Sequence, residues 1–241
     1  MSVLFSRQGK MNYPKDMNSE IFDELSTEYS HIVKKNVSII DGKSDYLCRY
    51  KVEIASELAP DSQNILDYGC GIGLSLTHLQ RLFPNSKIQG YDPSPKSINI
   101  ASEQHPNIHV TSNEKELIES SYDLIFLSCV IHHIPRHILK PEMTRLIKLL
   151  KPKGTILVFE HNPLNPITQV IVATSPIDRD AQLIRKSSLI KILLELCPDF
   201  SINGEYSVFF PDFLKFFRPL ERTLFKKLPL GAQYFVKATL K

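Results

Sequence analysis

Residues 65–73 read ILDYGCGIG, and the reading of this stretch decides the fold. The chain has nine glycines in 241 residues, yet three stand here at alternate positions, Gly69, Gly71 and Gly73, just behind Asp67. Glycine inside an element costs roughly 0.5–1 kcal/mol against alanine, so the cluster needs a cause. Two causes compete: a plain tight turn, or a loop that brings backbone against a bound ligand. The apolar run before the loop is strand-like, and LSLTHLQRLF at 74–83 behind it is helix-like. A loop between a strand and a helix lies at the carboxyl edge of a parallel sheet, where open α/β sheets bind ligands.

The pattern continues outward. Short apolar runs, NILDYG, KIQGYD, IHV, YDLIFLS and GTILVFE, alternate with helix-like stretches at about 73–83, 95–105, 114–120 and 136–150. Buried runs separated by helical segments mark parallel βαβ units with helices on both faces of one sheet. After VFEHNPLNP the rhythm changes: a proline-bearing connection leads to a helix near 187–196. SINGEYSVFFP and GAQYFVKATLK then read as two further strands around a helical insertion at about 211–229. The expected fold is therefore α/β, a doubly wound sheet of seven strands, mostly parallel with the last antiparallel. Before the core, SEIFDELSTEYSHIV and SDYLCRYKVEIASELA are amphipathic, which predicts an N-terminal helical cap. The expected organisation is one domain over 1–241: a cap or lid to residue 60, a cofactor-binding core over 61–163, and a substrate-side part over 164–241.

The dinucleotide fingerprint needs a third small residue at position 74, where this chain has Leu74. What remains is an acid followed by three alternating glycines, joined by Asp92 nineteen residues beyond Gly73. An acid at the end of the second strand can accept both hydroxyls of a ribose; the bland reading makes it a turn former before Pro93.

At this point the chain resembles the class I S-adenosylmethionine-dependent methyltransferases. The pieces that carry the resemblance are ILDYGCGIG, GYDPSPKSI, YDLIFLSCVIHHI and LLKPKGTILVFEHNP, in the family's order over roughly residues 63–163. The C-terminal pieces FFP and LPLGAQYFV resemble a bacterial subgroup acting on small molecules or glycan precursors. The resemblance implies S-adenosylmethionine as cofactor. It implies that Asp67 meets the methionine ammonium, that Gly69, Gly71 and Gly73 lie against the methionine and ribose, and that Asp92 holds the ribose hydroxyls. Pro93 and Ser94 would flank the adenine, and Asn113 stands nearest to the acid that often receives the adenine amino group. Ser128 and Cys129 would line the cofactor floor, with Tyr29 a lid residue over the methionine end.

Methyl transfer is an in-line displacement, so alignment of nucleophile and methyl dominates, and proximity alone supplies about 7–11 kcal/mol. A hydroxyl acceptor also has to lose a proton, which suits a histidine near neutral pH. The candidates at the carboxyl edge are His161, after the fifth strand, and His132 and His133, after the fourth; packing or local hydrogen bonding is the bland reading of each. Cys129, His132, His133 and His137 invite a zinc reading. A structural site wants four converging ligands, and two adjacent histidines diverge if the strand continues, so no metal is expected.

The segment FFPDFLKFFRPLERTLFKKLPL mixes phenylalanines with Lys and Arg. It reads first as a helix over the sheet edge, then as a substrate roof or dimer face, and last as a weak membrane-surface contact. The formal net charge of +3 is too mild to argue for nucleic acid. The four cysteines form no CxxC pair and there is no secretory leader or membrane-length apolar run. A cytoplasmic enzyme, monomeric or homodimeric, acting on a small-molecule acceptor is the expectation. The preferred acceptor is a hydroxyl of a sugar, glycan precursor or secondary metabolite. An RNA methyltransferase and a cofactor-binding partner subunit without turnover are the competing readings.

Overall fold

A computed structural model of the chain describes residues 45–210, 216–217 and 220–240. Seven strands, β1 (Asn64–Tyr68), β2 (Lys87–Tyr91), β3 (His109–Thr111), β4 (Tyr122–Ser128), β5 (Leu150–His161), β6 (Phe200–Ser207) and β7 (Gln233–Leu240), form one sheet. Their order is β3-β2-β1-β4-β5-β7-β6. β1 pairs in parallel with β2 and β4, and β7 runs antiparallel between β5 and β6. The seven-stranded, mostly parallel sheet with an antiparallel last strand is the one read from the sequence. The order reverses at β1, so the connections that follow β1 and β4 leave toward opposite faces of the sheet, the position at which open α/β sheets form a ligand crevice.

Among the described residues six α-helices accompany the sheet: α1 (Asp45–Leu58), α2 (Leu76–Leu82), α3 (Pro95–Gln104), α4 (Arg136–Leu149), α5 (Pro166–Thr174) and α6 (Lys186–Leu196). Strand alternation divides the core. Leu124, Phe126, Leu157, Phe159 and Phe235 face one side with α1 and α2, through Leu47, Ile54, Ala55, Leu76 and Leu79. Ile125, Leu127, Ile156, Val158, Tyr234 and Val236 face the other, under α4 and α6, through Leu139, Met143, Leu146, Leu189 and Leu193. Each such side chain contributes about 1.5–3 kcal/mol on burial, so both layers are needed to hold the sheet flat against its helices.

Two expected elements differ. The helix expected at 114–120 is a single 3-10 turn, Glu114–Glu116, because Asn113 caps it and Leu117 turns inward to the core. The connection after β5 contains α5, which the β-branched run Ile167–Val172 disguised; its signal was Asn165, whose side chain caps the Thr168 N–H, followed by Pro166 at the first helical position. The first amphipathic stretch of the expected cap, with Tyr29, lies outside the described residues. The second is α1, which packs into the core as a layer of the sheet.

β6 and β7 are joined on the same carboxyl edge as the glycine loop. In that connection Glu221, buried, accepts from the Phe209 and Phe210 N–H groups at 3.0 and 2.9 Å and from the Tyr50 hydroxyl at 3.3 Å. It ties the connection to α1. Glu221→Ala leaves these donors without an acceptor, and urea unfolding is expected to show a loss of at least about 1–3 kcal/mol. Glu221→Gln, which keeps an accepting carbonyl, loses less.

Candidate active site

The glycine loop leaves β1 and turns back at once, because the Gly69 and Cys70 N–H groups both donate to the Tyr91 carbonyl at the end of β2, at 2.7 and 3.0 Å. All three glycines have positive φ, and two show why. At Gly69, φ +76°, an added Cβ would stand 2.5 Å from a Val130 methyl. At Gly71, φ +53°, it would meet nothing within 4 Å, so the backbone there borders open space. Asp92 locks the loop: one carboxylate oxygen accepts from the Gly71 N–H and the other from the Ser94 N–H, each at 2.9 Å. Ser94 in turn caps α3 through the Ser97 N–H, which leaves Pro93 exposed between them.

Asp67, before the glycine loop, carries a buried oxygen that is not satisfied. It is 1% exposed, and its Oδ2 has no hydrogen-bond partner. Burial, with Asp92 close by, pushes its carboxyl up to about 8. A buried acid without a partner is costly unless a cation arrives to meet it. A cation of the chain lies near: Lys51 on α1, 5% exposed, donates to Ser128 Oγ at 2.9 Å and to Cys129 Sγ at 3.1 Å. Burial opposes the Lys51 charge, but Cys129 and Cys48 outweigh it and raise its pKa. Burial likewise opposes a thiolate at Cys129, yet Lys51 and His161 bring that thiol down to about 6. Cys129 is held in the left-handed region, φ +60°, by a bond from its N–H to the Phe159 carbonyl.

Around the ends of β4 and β5 stands a cluster of imidazoles and carboxylates. β4 stops at Ser128, and Ile131–His133 forms a 3-10 turn whose Ile131 N–H donates to Glu160 Oε1 at 2.6 Å. His132 Nδ1 meets Glu160 Oε2 at 2.6 Å, and its Nε2 lies 3.3 Å from Asp178 Oδ1. Burial alone would lower the pKa of His132, but Glu160 and Asp178 prevail and raise it to about 10. His133 is driven down to about 3 by burial and the neighbouring His132. His132 is thus a locked imidazolium without base character, and His133 a neutral ring. The expected divergence of the two rings does not occur, because the strand ends and the turn brings them together, tilted by 49° with centroids 4.1 Å apart. The His161 ring lies 5.1 Å from that of His132 and hydrogen-bonds Cys129.

Asn113 falls at the end of β3 as expected, but its side-chain oxygen already accepts from the Lys115 N–H at 3.2 Å, as the cap of the turn. Its amide donates to Glu116. The carbonyl expected to receive an adenine amino group is therefore engaged within its own loop.

Residues 41–190 match a family model described as a methyltransferase domain. The chain belongs to the class I S-adenosylmethionine-dependent methyltransferase family. Over 112 residues it is 34% identical to a malonyl-[acyl-carrier protein] O-methyltransferase 2 of Ilyobacter polytropus, covering 44% of this chain and 42% of that protein. Over 114 residues it is 25% identical to a trans-aconitate 2-methyltransferase of Rhodopseudomonas palustris, covering 46% and 44%. The aligned stretches thus span less than half the length of these relatives. A crystal structure of an S-adenosylmethionine-dependent methyltransferase from Archaeoglobus fulgidus shares the fold, with a TM-score of 0.65 at 15% identity over 81% of this chain and 94% of that one.

Within this methyltransferase domain, sequence reasoning missed Lys51 and Asp178. Lys51 did carry a signal: it falls in the apolar stripe of α1 with Leu47, Ile54 and Ala55, where a solvated lysine has no place. Asp178 lies in an irregular segment and had none. It is brought in by the Gln182 N–H, which donates to the His132 carbonyl at 2.7 Å, and by Arg136, which binds the Gln182 and Leu183 carbonyls. The Lys51–Cys129 pairing is testable. Thiolate absorbance of the wild-type protein is expected to rise with a midpoint near 6. In Lys51→Met the midpoint moves up by about 1–3 pH units, the usual effect of removing an adjacent opposite charge.

Proposed function

We propose that this chain transfers a methyl group from S-adenosylmethionine to an oxygen of a small molecule. The observation that carries the reading is the orphaned buried oxygen of Asp67 beside a loop whose Gly71 opens onto free space. A buried carboxylate and a buried ammonium, Asp67 and Lys51, flank the ends of β1 and β4, which suits the opposed charges of an amino-acid zwitterion. Asp67 would take the ammonium of the methionine part and Lys51 its carboxylate, while Asp92, its oxygens retaining lone pairs, would take the ribose hydroxyls. Pro93 would border the adenine, and Ser128 and Cys129 would floor the site. Tyr29 stays a candidate lid. The cofactor supplies an electrophilic methyl on a positive sulfur, whose leaving group departs neutral. The residues need to align the acceptor and take its proton.

For the proton, His161 is the candidate we retain, since His132 is held protonated and His133 is a very weak base. His161 stands at the end of β5 against Cys129, close to the proposed methyl position. The acceptor class follows from the relatives, which are named for malonyl-acyl-carrier-protein O-methylation and for trans-aconitate. A small acid or a hydroxylated sugar, glycan precursor or secondary metabolite is the substrate we infer, with no nucleic-acid partner.

Two experiments test the reading. Asp67 keeps its proton below about 8 in the free protein, and an arriving ammonium favours the carboxylate, so cofactor binding releases a proton. Affinity measured by calorimetry is therefore expected to rise with pH, by at most about tenfold per unit while the site is protonated. Asp67→Asn abolishes that rise and weakens binding. No binding of S-adenosylmethionine at any pH would end the proposal. In a turnover assay with a screened acceptor, His161→Gln is expected to lower kcat about 100-fold or more with cofactor affinity nearly unchanged. A wild-type rate in that variant removes His161 as the base.

A further inference from the structure

Three side chains beside the proposed methyl-transfer site form a set that the reaction does not use as such. His132 Nε2, His133 Nε2 and Asp178 Oδ1 converge: the aspartate oxygen lies 3.3 Å from the first nitrogen and 3.5 Å from the second. The three ligand atoms all lie within 4.8 Å of one another. His132 is fully enclosed, and the other two are about one-seventh exposed.

The distances discriminate between two explanations. A charge-assisted hydrogen bond between imidazolium and carboxylate runs at about 2.7–2.9 Å, and His132 makes such a bond on its other nitrogen, to Glu160 at 2.6 Å. Both contacts to Asp178 are longer than that. The first is a long hydrogen bond, and both lie near two edges of a coordination tetrahedron, since bonds of about 2.0–2.1 Å to a central ion place neighbouring ligands roughly 3.3–3.4 Å apart. An octahedral ion with bonds of similar length would bring neighbours to about 2.9–3.0 Å, shorter than observed. The surroundings agree with a metal ligand. Glu160 fixes His132 through Nδ1, which turns Nε2 to the Asp178 side, the arrangement by which carboxylates orient metal-bound imidazoles. Glu160 is itself fixed by the Ile131 N–H, and the segment bearing Asp178 is fixed by Gln182 and Arg136.

We propose that His132, His133 and Asp178 form a tetrahedral site for a divalent zinc-type ion, which displaces the Nε2 proton of His132 to solvent as it binds, with Glu160 as the positioning group and a fourth position for an exogenous oxygen ligand. Three protein ligands with one position open is the pattern of a reactive site and not of a structural one. Asp178 also lines an open cleft of about 570 Å³ with Val172, Ser175, Arg179 and Leu183, so one of the three ligands borders a space large enough for a small acceptor. If the methyl-transfer reading holds, an acceptor carboxylate or hydroxyl entering from this cleft would bind the ion through oxygen, which lowers the acceptor's pKa and fixes its direction. Ion binding itself does not depend on that reading.

The test uses the full chain, freed of metal by chelator and dialysis. Zinc titration by calorimetry is expected to show one equivalent bound at micromolar affinity or tighter. Cobalt substitution is expected to give the intense visible bands of a tetrahedral ion. His133→Ala and Asp178→Asn, the two ligands at the surface of the cluster, each lower zinc affinity by at least about tenfold, the low end for disturbing even an outer partner of a metal site. Cys197→Ser leaves it unchanged. Circular dichroism melts establish that the variants are folded, and S-adenosylmethionine titration of the same samples reads the cofactor site independently. Absence of zinc and cobalt binding by the folded wild-type protein overturns the proposal, whether or not the cofactor binds. So does zinc affinity that is equal in wild type and both ligand variants.

Discussion

The carboxylate of Asp92 fastens the carboxyl ends of β1 and β2 together, one oxygen on the Gly71 N–H and the other on the Ser94 N–H. Through the first bond the glycine loop is held in a left-handed path that no side chain could follow without strain. Through the second the entry of α3 is set, since Ser94 caps that helix. The same acid raises the pKa of Asp67. Two carboxylates at the tips of neighbouring strands, with glycine backbone between them, are unfavourable in an empty protein and favourable around a nucleoside that carries an ammonium. Free energy withheld from the unliganded fold is available to binding.

On the other side of the crevice the charges are arranged as a series. Lys51 faces Ser128 and Cys129; Cys129 faces His161; the rings of His161, His132 and His133 follow, and Glu160 and Asp178 enclose the series. Burial raises the cost of every unpaired charge here, so each group takes the protonation state that its neighbours allow. His132 holds its proton between two carboxylates, and the adjacent His133 is denied one. Two chemically identical side chains, consecutive in the chain, thus differ in charge because one faces Glu160 and the other does not. In the metal-free protein a pH-sensitive histidine pair is split into one cation and one neutral ring. The neighbouring His161 then stands against an already charged partner.

Much of this was legible in the residues. Acid, three alternating glycines, and a second acid at the end of the next strand can be read because a strand-to-helix turn is local: the spacing along the chain is the spacing in space. The strands were legible for a similar reason, since runs such as LIFLS and ILVFE are buried on both faces and need no partner to be recognised. The errors have equally local causes. The stretch 114–120 looked helical although one turn satisfies its Asn113 cap. Ile167–Val172 looked like no helix because β-branched residues carry weak helix propensity, while the Asn165–Pro166 start overrode it.

The sequence by itself determined the strand order's ingredients, the glycine loop, the two acids beside it and the family. All of these follow from patterns a few residues long, repeated along a chain whose backbone geometry converts period into burial. Only the tertiary structure decided what meets what. Lys51, on a helix that precedes the core, reaches the end of β4, and Asp178, from an irregular segment after β5, reaches the histidines after β4. Their protonation states and their convergence depend on distances across the fold and on the exclusion of water. No residue type or spacing records such distances, because they are set by packing between segments far apart in the chain.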